Sequence, residues 1–209
     1  MNKYITEFIG TFFLVLTIGM VVIGGKGDFA PIAIGSILMT MVFAGAHLSG
    51  AHYNPAVTLA VLLRGRMGLS EAIGYWAVQI IGGIVAAYAV SYLLAGSLPE
   101  PGAIRQDSIR ALVAEVIGTF ALAYVVLNVA TAKANAGNSF YGLAIGMTVL
   151  VGAFSVGGIS GGAFNPAVAT ALCFMGIKAW SSFWIFLVAN FAGGAVAGLT
   201  FKMLNPEDK

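Results

Sequence analysis

The stretches Ser49–Gly65, SGAHYNPAVTLAVLLRG, and Ser160–Gly176, SGGAFNPAVATALCFMG, both carry Asn-Pro-Ala-Val after Ser-Gly and a small-residue turn. Asn is a good helix N-cap, and Pro suits the first helical position because the N–H there has no intrahelical partner. Each stretch therefore reads as a helix that starts at its Asn-Pro. Each apolar run ends about ten residues later, near Arg64 and near Gly176. At about 1.5 Å per residue such a helix is roughly 15 Å long, half of the roughly 30 Å hydrocarbon core of a bilayer. Two half-spanning helices are the unit around which the rest of the chain is organised.

Composition supplies the bilayer. Of 209 residues, 59% are hydrophobic and 9% charged, and the mean hydropathy is +0.95. So few charges cannot coat a water-soluble globule of this size, whereas soluble domains carry roughly 25%. The net charge of +2 is too small to imply a nucleic-acid partner. A single cysteine, Cys173, cannot form an intramolecular disulfide, lies in an apolar run and reads as packing. The first apolar stretch follows Lys3 as a secretory signal would, but no small-x-small cleavage site precedes Lys26-Gly27-Asp28, and a near-copy recurs mid-chain. It reads as a retained first helix.

Long apolar runs predict six spans, approximately Tyr4–Gly24, Pro31–Ala46, Glu71–Ala95, Ser108–Ala130, Ser139–Val156 and Ala179–Leu204. The half-helices fall after the second and the fifth. TEFIGTFFLVL from Thr6 matches AEVIGTFALAY from Ala114 at an offset of 108. An offset of 111 relates Ala33 to Ala144, Ser49-Gly50 to Ser160-Gly161, Asn54 to Asn165, Gln79 to Asn190 and Gly82-Gly83 to Gly193-Gly194. The expected fold is thus an all-α membrane protein: one domain, residues 1–209, of six transmembrane helices plus two re-entrant half-helices, with one repeat in 1–97 and the other in 108–204. Three crossings per repeat is an odd number, so the repeats must be inverted. The half-helices then enter from opposite faces and meet near the midplane, where irregular backbone is tolerated only if buried or lining a watery cavity. With the N-terminus inside, Lys3, Arg64, Arg66, Lys133, Lys202 and Lys209 face the cytoplasm, against Lys26, Arg105, Arg110 and Lys178 outside. That excess favours cytoplasmic termini.

Two helix starts aimed at one locus each bring about half a positive charge, which disfavours cations, hydronium included. The amides of Asn54 and Asn165 can both donate to the oxygen of a passing molecule. A water held that way has both lone pairs engaged, which interrupts proton hopping along a file of waters. The carbonyls of Gly50, Ala51 and His52, and of Gly161, Gly162 and Ala163, lack intrahelical partners and can line the approaches as acceptors.

Six spans, duplicated Glu-x-Ile-Gly-Thr-Phe segments and two Asn-Pro-Ala boxes over essentially the whole chain resemble the aquaporin, or major intrinsic protein, family. The resemblance implies a homotetramer with one pore per subunit, conducting water or small neutral solutes passively, with Asn54 and Asn165 at the pore and Pro55-Ala56 and Pro166-Ala167 clasping the half-helix tips. It implies that Glu7 and Glu115 accept hydrogen bonds from the half-helix loops; an unpaired carboxylate inside a span would be costly. His47 and His52 flank the first turn, His52 offering mainly its carbonyl. The family's selectivity filter falls on Ile34, Ala153, Gly162 and Val168, a one-residue slip placing Phe154 instead of Ala153. Most members have Arg where this chain has Val168. Losing it should leave the constriction wider and apolar, open to glycerol, urea, ammonia or hydrogen peroxide, with ion exclusion resting on the two asparagines.

No paired carboxylates, activated nucleophile, metal-ligand cluster or cofactor motif appears in the sequence, so an enzyme is not expected. A coupled secondary transporter and a structural membrane protein are the rival classes. The expected location is the cell's inner membrane, as a multi-pass protein.

Overall fold

The computed structural model describes residues 1–95 and 107–208. The connection after the third span, with Arg105, and Lys209, both used in the charge count, lie outside the described residues. So does residue 97, the expected end of the first repeat. Among the described residues the secondary structure is helical throughout, with no strand. The long helices are α1 (Asn2–Ile23), α2 (Ala30–Ser49), α4 (Leu69–Leu93), α5 (Ser108–Val126), α6 (Tyr141–Ser160) and α8 (Phe183–Leu204). The short ones are α3 (Pro55–Arg64) and α7 (Pro166–Phe174), of 10 and 9 residues. Six of the helical stretches are long and apolar enough to cross a membrane.

α3 and α7 begin as their caps require. The Asn54 Oδ1 accepts from the backbone N–H of Ala56 at 2.8 Å, and the Asn165 Oδ1 from that of Ala167 at 2.9 Å. Each Pro at the next position has no N–H to leave unpaired. α2 and α6 run on to Ser49 and Ser160, three and four residues beyond the ends read from the apolar runs. What stops them is backbone, not polarity: Gly50 and Gly161 take left-handed conformations with φ of +83° and +96°. Polar, exposed His47 and Gly157-Gly158 therefore do not end the helices in which they lie.

Packing interleaves the chain's halves. α1 lies along α4 and α5 along α8, while α2 crosses α6. At that crossing, a Cβ placed on Gly35 would come within 2.7 Å of the Gly146 carbonyl oxygen. Each short helix is held by a long helix from the other half: α3 against α8, and α7 against α4. Gly83 sets the second of these contacts, since a Cβ there would meet the Ala167 carbonyl at 3.0 Å. Small residues thus allow the backbone approach on which helix association in lipid depends. α3 and α7 form the buried centre, and Ile5, Ile9, Phe13, Tyr88 and Leu199 are among the apolar side chains on the outside.

α5 continues through a π turn, Leu127–Thr131, into a short connection. There the buried Arg64 at the end of α3 donates from Nε to Thr131 Oγ1 and from Nη2 to the Thr131 carbonyl, both at 2.8 Å. The same guanidinium pairs with Asp208 Oδ1 at 2.8 Å and lies 4.6 Å from the centre of the Phe201 ring.

Candidate functional site

Non-glycine residues rarely take positive φ, yet Ala51 and Tyr53 in one loop and Phe164 in the other do, with values of +51°, +49° and +47°. Such backbone persists only when its surroundings over-determine it. Two buried carboxylates supply that restraint. Glu7 on α1 accepts from Ser49 Oγ (2.7 Å), the His52 N–H (2.9 Å), the Tyr53 N–H (2.6 Å) and Gln79 Nε2 (2.8 Å). Glu115 on α5 accepts from Ser160 Oγ (2.6 Å), the Ala163 N–H (2.9 Å), the Phe164 N–H (2.7 Å) and Asn190 Nδ2 (2.8 Å). Hydrogen bonds to a charged group contribute about 1.5–3 kcal/mol each, enough together to hold several strained residues. Next to each site a glycine gives way to a ring. The Tyr53 ring fills the space a Cβ on Gly10 would take, and the Phe164 ring that of a Cβ on Gly118.

So restrained, the loops are tied to one another. Asn54 Nδ2 donates to the Phe164 carbonyl and Asn165 Nδ2 to the Tyr53 carbonyl, each at 2.8 Å. An amide has two N–H groups. One of each pair makes this cross-tie, and the second is not used by any described residue. The tie runs through the asparagines. Pro55 and Ala56 also meet the long helices: Trp76 Nε1 donates to the Pro55 carbonyl at 2.9 Å, and Gly194 of α8 abuts Ala56 as Gly83 of α4 abuts Ala167, the residue after Pro166.

Both asparagines line a cavity of about 30 Å³. A water needs roughly 10–15 Å³ of such space, so there is room for only about two in file. Its other walls are largely aliphatic, among them Leu14, Ile18, Leu38, Leu122 and Val149. Ile34, Gly162 and Val168 of the expected filter line this cavity; Ala153 does not, and Val149 and Ile145 represent α6 there. Phe154, the alternative to Ala153, is exposed. Of the expected pore carbonyl residues, Ala51, His52, Gly162 and Ala163 line it, whereas Gly50 and His52 line a larger vestibule of about 600 Å³ with Arg66, Glu71, Tyr75, Lys133 and Tyr141. Gly161 lines neither of these cavities. His47 is exposed, and the His52 ring lies 3.1 Å from Thr58 Oγ1 and 5.1 Å from the Tyr75 ring centre.

Sequence reasoning gave no role to Gln79, Asn190, Ser49 or Ser160, each of which donates to a carboxylate. Their signal was present, since all four are polar residues at matched positions of the internal repeat. It also read Lys178 only as a surface charge. The structure buries it, 2% exposed, with Nζ 5.6 Å from the Phe186 ring centre. Burial lowers its pKa from the ordinary lysine value, and the Glu115 carboxylate opposes that fall.

The family model described as Major intrinsic protein matches residues 1–201. A glycerol uptake facilitator protein-like 6 of Lactiplantibacillus plantarum is 35% identical over the whole of both chains. An aquaporin Z of Rhodopseudomonas palustris is 32% identical, covering 99% of this chain and 94% of its own. Among solved structures, the aquaglyceroporin of Plasmodium falciparum superposes with a TM-score of 0.84 at 23% identity, over 99% of this chain and 97% of that one.

Proposed function

The chain belongs to the major intrinsic protein family, and on that premise we infer that it is a passive transmembrane channel for water and small neutral solutes. The observation that carries this reading is the reciprocal tie of Asn54 and Asn165 beside a file-width apolar cavity. A neutral molecule crossing there exchanges its hydration for a few donors and acceptors and loses little. An ion would lose most of its hydration among aliphatic side chains and meet two helix N-termini, each with about half a positive charge. The free N–H of each asparagine donates to the passing oxygen, so a water there has both lone pairs engaged and cannot accept a proton from its neighbour in the file.

In this reading the carbonyls of Gly50, Ala51 and His52 and of Gly161, Gly162 and Ala163 form the two approaches. Glu7 and Glu115 keep those loops in shape. Ile34, Gly162 and Val168, with Ile145 and Val149 of α6 in place of Ala153, form the constriction, apolar because no arginine follows the second box. A filter of that kind favours solutes with carbon, in keeping with the full-length similarity to a protein named as a glycerol uptake facilitator. We further propose one domain of two inverted repeats, 1–97 and 108–204, assembled as a homotetramer in the cell's inner membrane with both termini cytoplasmic, and no catalytic activity.

Stopped-flow light scattering of proteoliposomes tests the reading. Water flux well above the lipid background is expected, with glycerol and urea also above it. Water at background overturns the channel. Glycerol and urea at background, with fast water, overturn the permissive filter alone. Flux that saturates and follows a proton gradient would instead indicate a coupled transporter.

A further inference from the structure

Every described residue that lines the narrow cavity, Tyr53 excepted, is joined there by its mate in the internal repeat, at the offset of 108 for α1 and α5 and of 111 elsewhere. Leu14 is matched by Leu122, Ile34 by Ile145 and Val57 by Val168. The wall is therefore built twice from the same kinds of side chain. Among the pairs, only His52 with its mate Ala163 changes from polar to apolar, and His52 lies where the narrow cavity meets the vestibule, which it also lines.

The two copies of the wall lie on opposite sides of the asparagine tie. α2 and α6 cross running in opposite directions: a Cβ on Gly35 would fall 2.7 Å from the Leu150 Cβ, and one on Gly146 2.6 Å from the Met39 Cβ. The crossing thus centres on Ile37 and Thr148. Ile34 and Ile145 each precede that centre by three residues, about 4–5 Å of helix, and so stand on opposite sides of it. α3 and α7 run from the tie toward opposite ends of α8. Arg64 lies 4.6 Å from the ring of Phe201, near the end of α8, and the Phe174 ring lies 5.2 Å from that of Trp180, just before its start. Val57 and Val168, each three residues past its asparagine, diverge in the same way. Met175, at the end of α7, also reaches Gly19, close to where α1 gives way to α2. Val168 and Ile34 therefore share one side of the tie, and Val57 and Ile145 the other.

We propose that the constriction is two apolar rings in series, and that Val57 and Ile145 are specificity-determining residues of an inner ring equal in weight to the outer ring of Val168 and Ile34. The proposal deepens the channel reading and rests on it. Between the rings the asparagine amides offer hydrogen bonds. At either ring a solute meets aliphatic side chains and gives up hydration, which is costly for any polar group left without a partner. A neutral solute with a small carbon body loses least at both rings, and a strongly hydrated one is refused twice.

The test measures glycerol permeability per reconstituted channel, by stopped-flow light scattering of proteoliposomes, for wild type, Ile34→Ala, Ile145→Ala and the double variant. Resistances in series add, so widening either ring alone leaves the other in place and raises glycerol permeability by no more than about twofold, equally from either side. Widening both raises it by more than about fourfold, beyond the product of the single effects. Where wild type holds glycerol at the lipid background, the single variants stay there and the double variant alone admits it. If an alanine variant yields no folded protein, Val168→Ala and Val57→Ala take the places of Ile34→Ala and Ile145→Ala with the same expectations. A large gain in Ile34→Ala that Ile145→Ala neither shares nor increases overturns the proposal and leaves a single outer ring. A double variant that gains no more than the product of the two single effects overturns it as well. A wild type that passes neither water nor glycerol overturns the channel reading instead.

Discussion

The half-helix loops around Asn54 and Asn165 differ in what they expose and agree in what supports them. A carboxylate, a serine hydroxyl, two backbone N–H groups and a side-chain amide recur in each, with hydrogen-bond lengths between 2.6 and 2.9 Å in both. One layer out the likeness stops. The first loop has His52 and Tyr53, whose hydroxyl donates to the Met41 carbonyl, where the second has Ala163 and Phe164. The first short helix ends in the buried Arg64, where the second has Met175 at the matched position. Groups that hold strained backbone are kept in duplicate because any loss is felt at once. Groups that meet a solute, or the solvent at one mouth, are free to part.

The sharpest way to break this comparison is to remove one carboxylate at a time. Glu7→Gln and Glu115→Gln each leave backbone donors facing an amide that matches only some of them, and breaking a buried charged network typically costs about 3–5 kcal/mol. Glu115→Gln is expected to be the worse, because it also strips Lys178 of its neighbouring anion. Yield and melting temperature in detergent read the difference. Equal losses would show that Lys178 draws no support from Glu115. Next in size come Gly10→Ala and Gly118→Ala, whose new methyl groups collide with the Tyr53 and Phe164 rings. Overpacking of this kind costs about 1–3 kcal/mol. Gly10→Ala should be the more damaging, since the Tyr53 ring is anchored by its hydroxyl and cannot swing aside.

A smaller effect on stability, but a larger one on selectivity, is expected from Val168→Arg. It places a long cation in a cavity with room for about two waters. Glycerol flux should fall several-fold relative to water in the proteoliposome assay. An unchanged ratio would remove Val168 from the constriction. Val57 of the first box lines the same cavity, so Val57→Arg should lower the ratio as well, and an untouched ratio there would show that the two boxes differ in their use.

The Asn-Pro caps, the half-length of α3 and α7 and the 111-residue register were legible in the sequence because they are local or periodic. The carboxylates were legible because a charge inside an apolar run demands an explanation. Gln79 and Asn190 are polar residues in spans too, but their task depends on which helix lies opposite, and pairing of α1 with α4 and of α5 with α8 is tertiary information. Ala153 was placed by counting from Asn165; whether it reaches the cavity depends on how α6 is rotated, which counting does not supply. Lys178 and Arg64 escaped notice for a different reason. Near the end of an apolar run, a basic residue reads as a solvated boundary marker, and only the packed structure shows whether the chain folds back over it.

The Arg64 cluster offers the finest distinction between the halves, and the smallest expected effect. Asp208 holds that guanidinium together with Arg66 and accepts the Lys133 N–H at 2.8 Å. Its pKa is lowered from the ordinary carboxylate value, first by the Lys133 backbone N–H and then by Arg64. A depressed folded-state pKa gives stability that is complete above the unfolded value, near 4, and that fades as pH falls through the folded one. Wild type should therefore lose a small increment of melting temperature below about pH 4 that Asp208→Asn, already lacking it, does not lose. Above that pH the variant should melt slightly lower than wild type by a constant margin. Because Met175 takes the place of Arg64 in the second half, the increment belongs to the first half alone. A margin that stays constant through pH 3 would show that Asp208 acts on Arg64 by position and not by charge.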